Sequence, residues 1–375
     1  MAVSFIHTAD WQIGKPFGGV ADDAAALLRD QRLKTVEAIA RLATSRGVDA
    51  VLVAGDVFDS NAVSDQTIRR LLNALSGFAG PWVLLPGNHD PALVESAWAR
   101  LLRFGPPANI HVAAGHAPLL LADGRLAVLP APLERRQDTR DLTEYFDRTE
   151  TPADAVRVGL AHGCVANRLP DRGEAINPIA EDRAERARLS HLALGDWHGT
   201  LNVAPRTWYS GTPEPDRFKT NDAGNVLHVA VPAPGEPASV ERIPVGHYRW
   251  HIRQAAVHGV DDLAGLDAEF AALDAPHDRH LVSLTLSGAV GLDLRARIGV
   301  FAETWAARLR HLDVDFDALV TEPTDDDLDL IDKGGFVRVA VDRLRAIARD
   351  PVHPDRAVAA LALQRLYVEH RRLGG

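Results

Sequence analysis

Five short polar words follow apolar runs in this chain: Asp10, Asp56, Asn88-His89, His162, and Asp196 with His198. Each closes a stretch of strand composition, at 3–6, 50–54, 82–85, 157–161 and 187–194. In an open α/β sheet, ligands collect beyond the carboxyl ends of the strands, so side chains at such ends converge. A single aspartate there is an ordinary turn or cap residue. Five coinciding clusters, all of metal-ligand or proton-transfer types, point to chemistry instead. The set suits phosphate-ester hydrolysis with two divalent cations, which hold the phosphate, lower the pKa of a bridging water and offset charge on the attacking and leaving oxygens. Such a pair needs one shared carboxylate. Asp56 is the candidate, because Gly55 lets the backbone turn tightly at the strand end. Asp10 and His198 then complete one cation's shell, and Asn88 and His162 the other's.

Strands must alternate with helices to bring these residues to one rim. Leu33, Val36, Ala40 and Ala43 have helical spacing, with Gly47 as a C-terminal stop. Ile68, Leu71, Leu72 and Leu75 form a second stripe opened by Ser64 as N-cap. Leu93, Ala97 and Leu101 predict a third helix starting just after Asp90-Pro91. This alternation means parallel strands with helices packed on the sheet faces. After Ile110 the texture changes to short strands and turns, which predicts a second sheet packed on the first within residues 1–246. From Tyr248 the order strand, helix, strand, helix, strand predicts a small α+β capping domain at 247–322. Helices at 336–349 and 354–373 fill a C-terminal segment, 323–375. The fold class is therefore α/β: a two-sheet αββα sandwich followed by a smaller module and terminal helices.

At about 150 residues per domain, 375 residues allow roughly two cores. The chain is 46% hydrophobic and 25% charged, which excludes a mainly disordered or fibrous protein. Its formal charge is −10, but nine acids fall in the base-free stretch 313–332, leaving the rest close to neutral. That excludes holding nucleic acid by bulk charge alone and predicts a solvated acidic face. One cysteine, Cys164, excludes an internal disulfide and any cysteine-based zinc module, and a small buried thiol is its expected role. The first strand begins at once, with no signal peptide before it, and no apolar run reaches the ~18 residues of a membrane span. A cytoplasmic protein with no membrane partner is expected.

The words in order make a resemblance specific. His7-Thr8-Ala9-Asp10-Trp11-Gln12-Ile13-Gly14-Lys15, Gly55-Asp56-Val57-Phe58-Asp59 and Gly87-Asn88-His89-Asp90 come first. His162-Gly163, Leu194-Gly195-Asp196-Trp197-His198 and Tyr209-Ser210-Gly211-Thr212-Pro213 follow. The sequence resembles the calcineurin-like metallophosphoesterases and, within them, the SbcD-like DNA repair exonuclease subunits, over residues 1 to about 220. Two positions depart from the family pattern. Gln12 stands where the first word has a second ligand histidine, and Asp196 replaces the first histidine of the last word.

The resemblance implies one metal held by Asp10, Gln12, Asp56 and His198, and another by Asp56, Asn88, His162 and Asp196. Oxygen-rich ligation favours Mn²⁺, with Mg²⁺ as the other option. It implies that metal-activated hydroxide attacks phosphorus while His89 protonates the leaving oxygen or offsets its charge. Asp90 is either an orienting partner for His89 or a cap ahead of Pro91, and Asp59 either touches substrate or caps the next loop. The implied partners are DNA and an SbcC-like coiled-coil ATPase docked on the last two helices, where Val358, Leu361, Leu363, Leu366 and Tyr367 offer apolar surface or pack on their own domain. A homodimer is a further expectation. Two other functions stay open: a small-molecule or nucleotide phosphoesterase, and a degenerate metal-binding scaffold for an ATPase. Arg168, Arg172, Arg183, Arg206, Arg217 and Lys219 lie in loops around the site, as phosphate contacts or as surface charge. His7 is expected to be a satisfied histidine at a strand end.

Overall fold

The strand β1 (Val3–Thr8) pairs in parallel with β2 (Ala50–Val53), which continues to β3 (Trp82–Leu84) and β4 (Ile110–Val112). The helices α1 (Asp22–Arg46), α2 (Asp65–Leu75) and α3 (Ala97–Arg103) connect them, as parallel pairing requires. Two antiparallel strands extend the other edge of this sheet, Asn225–Val231 next to β1 and then Ser239–Pro244. The computed structural model describes residues 2–165, 168, 176–321 and 335–372. Arg172 and the part of the acidic run beyond Thr321 lie outside them.

A second six-stranded sheet packs on the first. Its parallel centre is Leu126–Ala131, Val156–His162 and His191–Gly195, joined by Thr207–Tyr209. Alternation along each strand makes the layers, because successive side chains point to opposite faces. Ile6, Val51 and Val53 face α1 and α2, beside Ile39, Ile68 and Leu71. Phe5, Leu52 and Val83 face inward to meet Val128, Val158 and Leu160 of the second sheet. On the far side, Leu192, Leu194 and Tyr209 pack with Phe146 and Ala184, which belong to a 3-10 turn at Glu144–Asp147 and a one-turn helix at Arg183–Arg186. The order is helix, sheet, sheet, thin helical layer.

Local signals behave as their chemistry demands. Gly47 closes α1 in the left-handed conformation at φ 60°, and the Ser64 side chain accepts from Thr67 N to start α2. The third helix starts later than its apolar spacing predicts. Ala92 N is bound to Leu133 O at 2.8 Å, and the first side chain that caps is Ser96, accepting from Ala99 N at 3.2 Å. Leu93 and Val94 are therefore exposed loop residues.

The chain divides into two compact units, Met1–Tyr248 and Arg249–Gly375. The second carries three parallel strands, Arg249–Ala256, His280–Val290 and His311–Thr321, with helices Val260–Ala271 and Leu292–Ala306 between them. This is a βαβαβ module rather than segregated strands and helices, because a crossover helix joins each strand to the next. Asp313, Asp315 and Asp317 alternate on the solvent side of the last strand. The final helices are Phe336–Arg349 and Arg356–Arg372. Leu363 and Tyr367 are buried with Val341 and Leu292, so they pack on their own unit, whereas Val358 and Leu361 stay exposed.

Candidate metal centre

Adjacent parallel strands bring the first two aspartates together. Beyond β1 and β2 the two loops stay hydrogen-bonded: Asp10 N donates to Gly55 O, Gln12 N to Asp56 O and Ile13 N to Val57 O, at 2.9–3.1 Å. Asp10, Gln12, Asp56 and Asp196 all hold left-handed backbone, with φ of 54°, 42°, 54° and 100°. Strain of this kind persists where surrounding structure enforces it, and it clusters at functional sites. The second sheet contributes from its own strand ends. Asp196 N donates to both Asp10 carboxylate oxygens at 3.1 and 3.3 Å.

His162 closes its strand with Nδ1 2.8 Å from Ala54 O. A carbonyl only accepts, so Nδ1 carries a proton whatever the state of Nε2. Nε2 faces only oxygens, Asn88 Oδ1 at 3.0 Å, Asp56 Oδ1 at 3.5 Å and Asp196 Oδ1 at 3.9 Å, which favour either a proton on it or a cation between them. Donor atoms of Asp10, Asp56 and His162 all lie within 4.8 Å of one another, and all three residues are buried. Two glycines make the approach possible. A Cβ on Gly55 would sit 2.3 Å from His162 Nδ1, and one on Gly87 would sit 2.3 Å from Asp56 Oδ1.

The electrostatics call for positive charge. Burial pushes the Asp10 carboxyl up to about 6, against the pull of His198 and His162. Burial drags His162 down, but Asp56, Asp10 and Asp196 outweigh it and hold the imidazole at about 9. Burial, reinforced by Asp56, also raises Asp90 well above the usual carboxylate range. The donor set of carboxylates, an amide and imidazoles fits a hard or borderline divalent cation. The backbone carbonyl behind His162 is the usual partner that fixes a ligating imidazole.

The remaining residues take definite places. His89 N donates to Asp56 Oδ1 at 2.9 Å, and its ring Nδ1 meets Asp59 O at 2.9 Å. The carbonyl of Asp59, not the Asp90 carboxylate, therefore orients the His89 ring. Asp90 instead accepts from Phe58 N at 2.9 Å and Gly87 N at 2.7 Å, stapling two site loops together. It neither touches the imidazole nor caps a helix, because those two buried N–H groups take both of its oxygens. Gln12 also departs from its expected role as an oxygen donor. Its Oε1 accepts from Lys15 Nζ at 3.1 Å, and its Nε2 lies 3.3 Å from His198 Nε2. An ammonium needs an acceptor and would clash with an NH₂, which sets that amide orientation.

Sequence reasoning missed the support behind His198. Asp216, buried, lies 3.3 Å from His198 Nδ1 and accepts from Lys15 Nζ at 2.7 Å and Arg217 Nε at 2.9 Å. Burial opposes ionisation there, yet His198 and Arg217 hold Asp216 well below the usual carboxylate range. Only its place three residues after Pro213 of the last word gave a signal. Arg32 of α1, also missed, is buried and donates to the backbone carbonyls of Trp11, Asp10 and Glu214 at 2.6–3.2 Å.

A cavity of about 290 Å³ opens over Asp56, Asn88, His89, Asp196 and His198. A larger one, about 920 Å³, lies around His116 and Tyr145 and holds none of these residues, so volume alone does not locate the chemistry. Of the basic residues singled out in the loops, Arg217 lines the site cavity. Arg168 pairs with Glu181, Arg183 is a buried partner of Asp141 and Asp147, and Arg206 donates to Leu189 O. Lys219 lies over the Trp197 ring. His7 is buried with Nε2 3.1 Å from Leu194 O, and Cys164 is buried.

Comparison with known proteins agrees with this geometry. Residues 3–163 match the calcineurin-like phosphoesterase family. The chain is 26% identical over 307 residues to the SbcD subunit of the SbcCD nuclease of Bacillus subtilis, covering 69% of this chain and 73% of the relative. It is 31% identical over 257 residues to the same-named protein of Rhodobacter capsulatus, covering 56% and 62%. To the DNA double-strand break repair protein Mre11 of Aeropyrum pernix it is 24% identical over 259 residues, covering 64% and 60%. No described helix is long and apolar enough to cross a membrane. The chain thus carries a match to the calcineurin-like phosphoesterase family over residues 3–163, and it is similar to the SbcD subunits of SbcCD nucleases.

Proposed function

We propose that this chain is a metal-dependent phosphodiesterase acting on DNA, the nuclease subunit of an SbcCD-like complex. The observation that carries this reading is the convergence of Asp10, Asp56 and His162, with Asp56 opening beside His89 onto one cavity. Similarity to SbcCD nuclease subunits and to a DNA double-strand break repair protein supports the substrate class. Asp10, Asp56, Asn88, His162, Asp196 and His198 would hold two divalent cations, Mn²⁺ foremost and Mg²⁺ second. Gln12 joins them when its Oε1 leaves Lys15. Such cations polarise phosphate oxygens and lower the pKa of water.

The chain's own groups do the rest. Ala54 O keeps the His162 proton on Nδ1 and its lone pair turned inward. Asp216 does the same for His198 when Nδ1–H donates to it. With Nδ1 of His89 turned to Asp59 O, its Nε2 has no partner among the described residues and is the atom that gives a proton to the leaving oxygen. The last two helices offer exposed Phe336, Val339, Val358 and Leu361 to an SbcC-like coiled-coil ATPase.

The test is degradation of labelled linear DNA with Mn²⁺, comparing the parent protein with His89→Ala and Asp56→Asn. Both variants are expected to lose at least about a hundredfold in rate. Turnover of bis-p-nitrophenyl phosphate without any cutting of DNA would replace this reading by a small-molecule esterase. No turnover of either substrate would leave a binding scaffold.

A further inference from the structure

The arginines of the stretch 135–140 and Arg217 differ in their partners. Arg135 Nε lies 3.3 Å from Asp138 Oδ2, Arg140 Nη2 lies 2.9 Å from the same oxygen, and Arg217 Nε lies 2.9 Å from Asp216 Oδ1. Arg136 is exposed and has no ion pair or side-chain hydrogen bond among the described residues, yet it lines the same cavity as Asp56, Asn88, His89 and His198.

Its backbone is fixed. Asn177, buried and held at φ 55°, which asparagine tolerates better than most residues, accepts at Oδ1 from Asp138 N at 2.7 Å. Asn177 N donates back to Asp138 O at 3.0 Å, and its Nδ2 donates to Arg136 O at 3.3 Å. Cys164 N, two residues past His162, donates to Asn177 O at 2.9 Å. On the other side Leu133 N donates to Pro86 O at 3.2 Å, next to the Gly87-Asn88-His89 loop. The stretch bearing Arg136 is thus braced against both loops that carry His162 and His89. A guanidinium presents a planar fork of donors that matches phosphate, and one without a carboxylate is available for it.

We propose that Arg136 binds a second phosphate of the substrate, the one flanking the scissile diester. This inference rests on the phosphodiesterase reading and narrows it. The preferred substrate is a nucleotide chain rather than an isolated diester, and Arg136 sets that preference.

The test has two arms. In the first, kcat/KM is measured with Mn²⁺ on oligothymidylate and on bis-p-nitrophenyl phosphate, which has no flanking phosphate. Arg136→Ala is expected to lower the ratio of the two values about tenfold, as the loss of one charged contact. In the second, anisotropy of dye-labelled oligothymidylate is followed against salt. Arg136→Ala is expected to bind about tenfold more weakly, with a salt slope shallower by about 0.7, the single-strand value for one phosphate. Arg136→Lys should keep the slope. An equal loss on both substrates, or unchanged affinity and slope, overturns the assignment. If the parent protein hydrolyses neither substrate, the phosphodiesterase reading fails, and the anisotropy slopes still judge the arginine.

Discussion

Asp216→Asn removes one charge from the support of His198 while keeping side-chain volume. The Asp216 side chain is 1% exposed and engages Lys15 Nζ at 2.7 Å, Arg217 Nε at 2.9 Å and His198 Nδ1 at 3.3 Å. An amide has one acceptor oxygen where the carboxylate has two, so its NH₂ must face one of these partners. Lys15 and Arg217 Nη2 donate to Oδ2 while Arg217 Nε and His198 Nδ1 share Oδ1, so the amide keeps its oxygen toward Lys15 and turns its NH₂ to His198 and Arg217 Nε. Nδ1 then becomes the acceptor, Nε2 carries the proton, and the imidazole has no lone pair to offer the centre. Loss of such a supporting partner costs about 10–100-fold in metal affinity, or about 1.4–2.8 kcal/mol. Calorimetric titration of Mn²⁺ into both proteins reads this directly, with thermal unfolding in chelator as a separate measure of the fold. A variant that unfolds earlier but binds Mn²⁺ within twofold of the parent would refute the reasoning, since Asp216 would then serve packing alone.

Two further perturbations probe the same architecture. Gly87→Ala places a Cβ 2.3 Å from Asp56 Oδ1 and 2.4 Å from Asp56 N, and a backbone atom does not yield as a flexible side chain does. We expect a loss of about 1–3 kcal/mol in urea unfolding together with weaker Mn²⁺ binding; a variant as stable as its parent contradicts the close approach. His7 and His191 lie buried, 3.4 Å apart, where burial pulls His7 down to about 3 and, with His7 beside it, pulls His191 well below its usual value. The unfolded chain takes up these protons near pH 6.5 and the folded one does not, so stability falls as pH drops below 6.5. The loss is about 2 kcal/mol per histidine by pH 5. Urea midpoints near pH 7.5 and near pH 5 should therefore separate less for His7→Gln than for the parent, and equal separations would count against a neutral buried pair.

Most of the first unit is legible in local order. Apolar runs of four to six residues ending in Gly-Asp or Gly-Asn-His-Asp are strand ends, and strand ends of parallel neighbours must share a rim. The convergence of Asp10, Asp56 and Asn88 follows from that rule, and His162 joins them from a strand end of the second sheet. What escapes such reading has one cause: contacts whose partners are distant in sequence and carry no periodicity. Asp216 meets Lys15 across 201 positions, and Arg32 meets Thr212 across 180. Asn177 braces the stretch that bears Arg136 from 41 positions away. Apolar spacing places the third helix too early because it marks a face, whereas the capping serine marks the start.

Residue types and their spacing were enough to define which chemistry the protein is built for and which strands deliver it, because strand-end placement is a consequence of local pattern and chirality. The direction in which each donor atom points was another matter. Gln12 turns its oxygen to Lys15, Asp90 turns its carboxylate to two backbone amides, and Asp59 orients His89 through its carbonyl. Each choice is a competition among hydrogen-bonding partners in a buried space, where an unsatisfied group costs about 1–3 kcal/mol. Those partners become neighbours only when the two sheets close on each other.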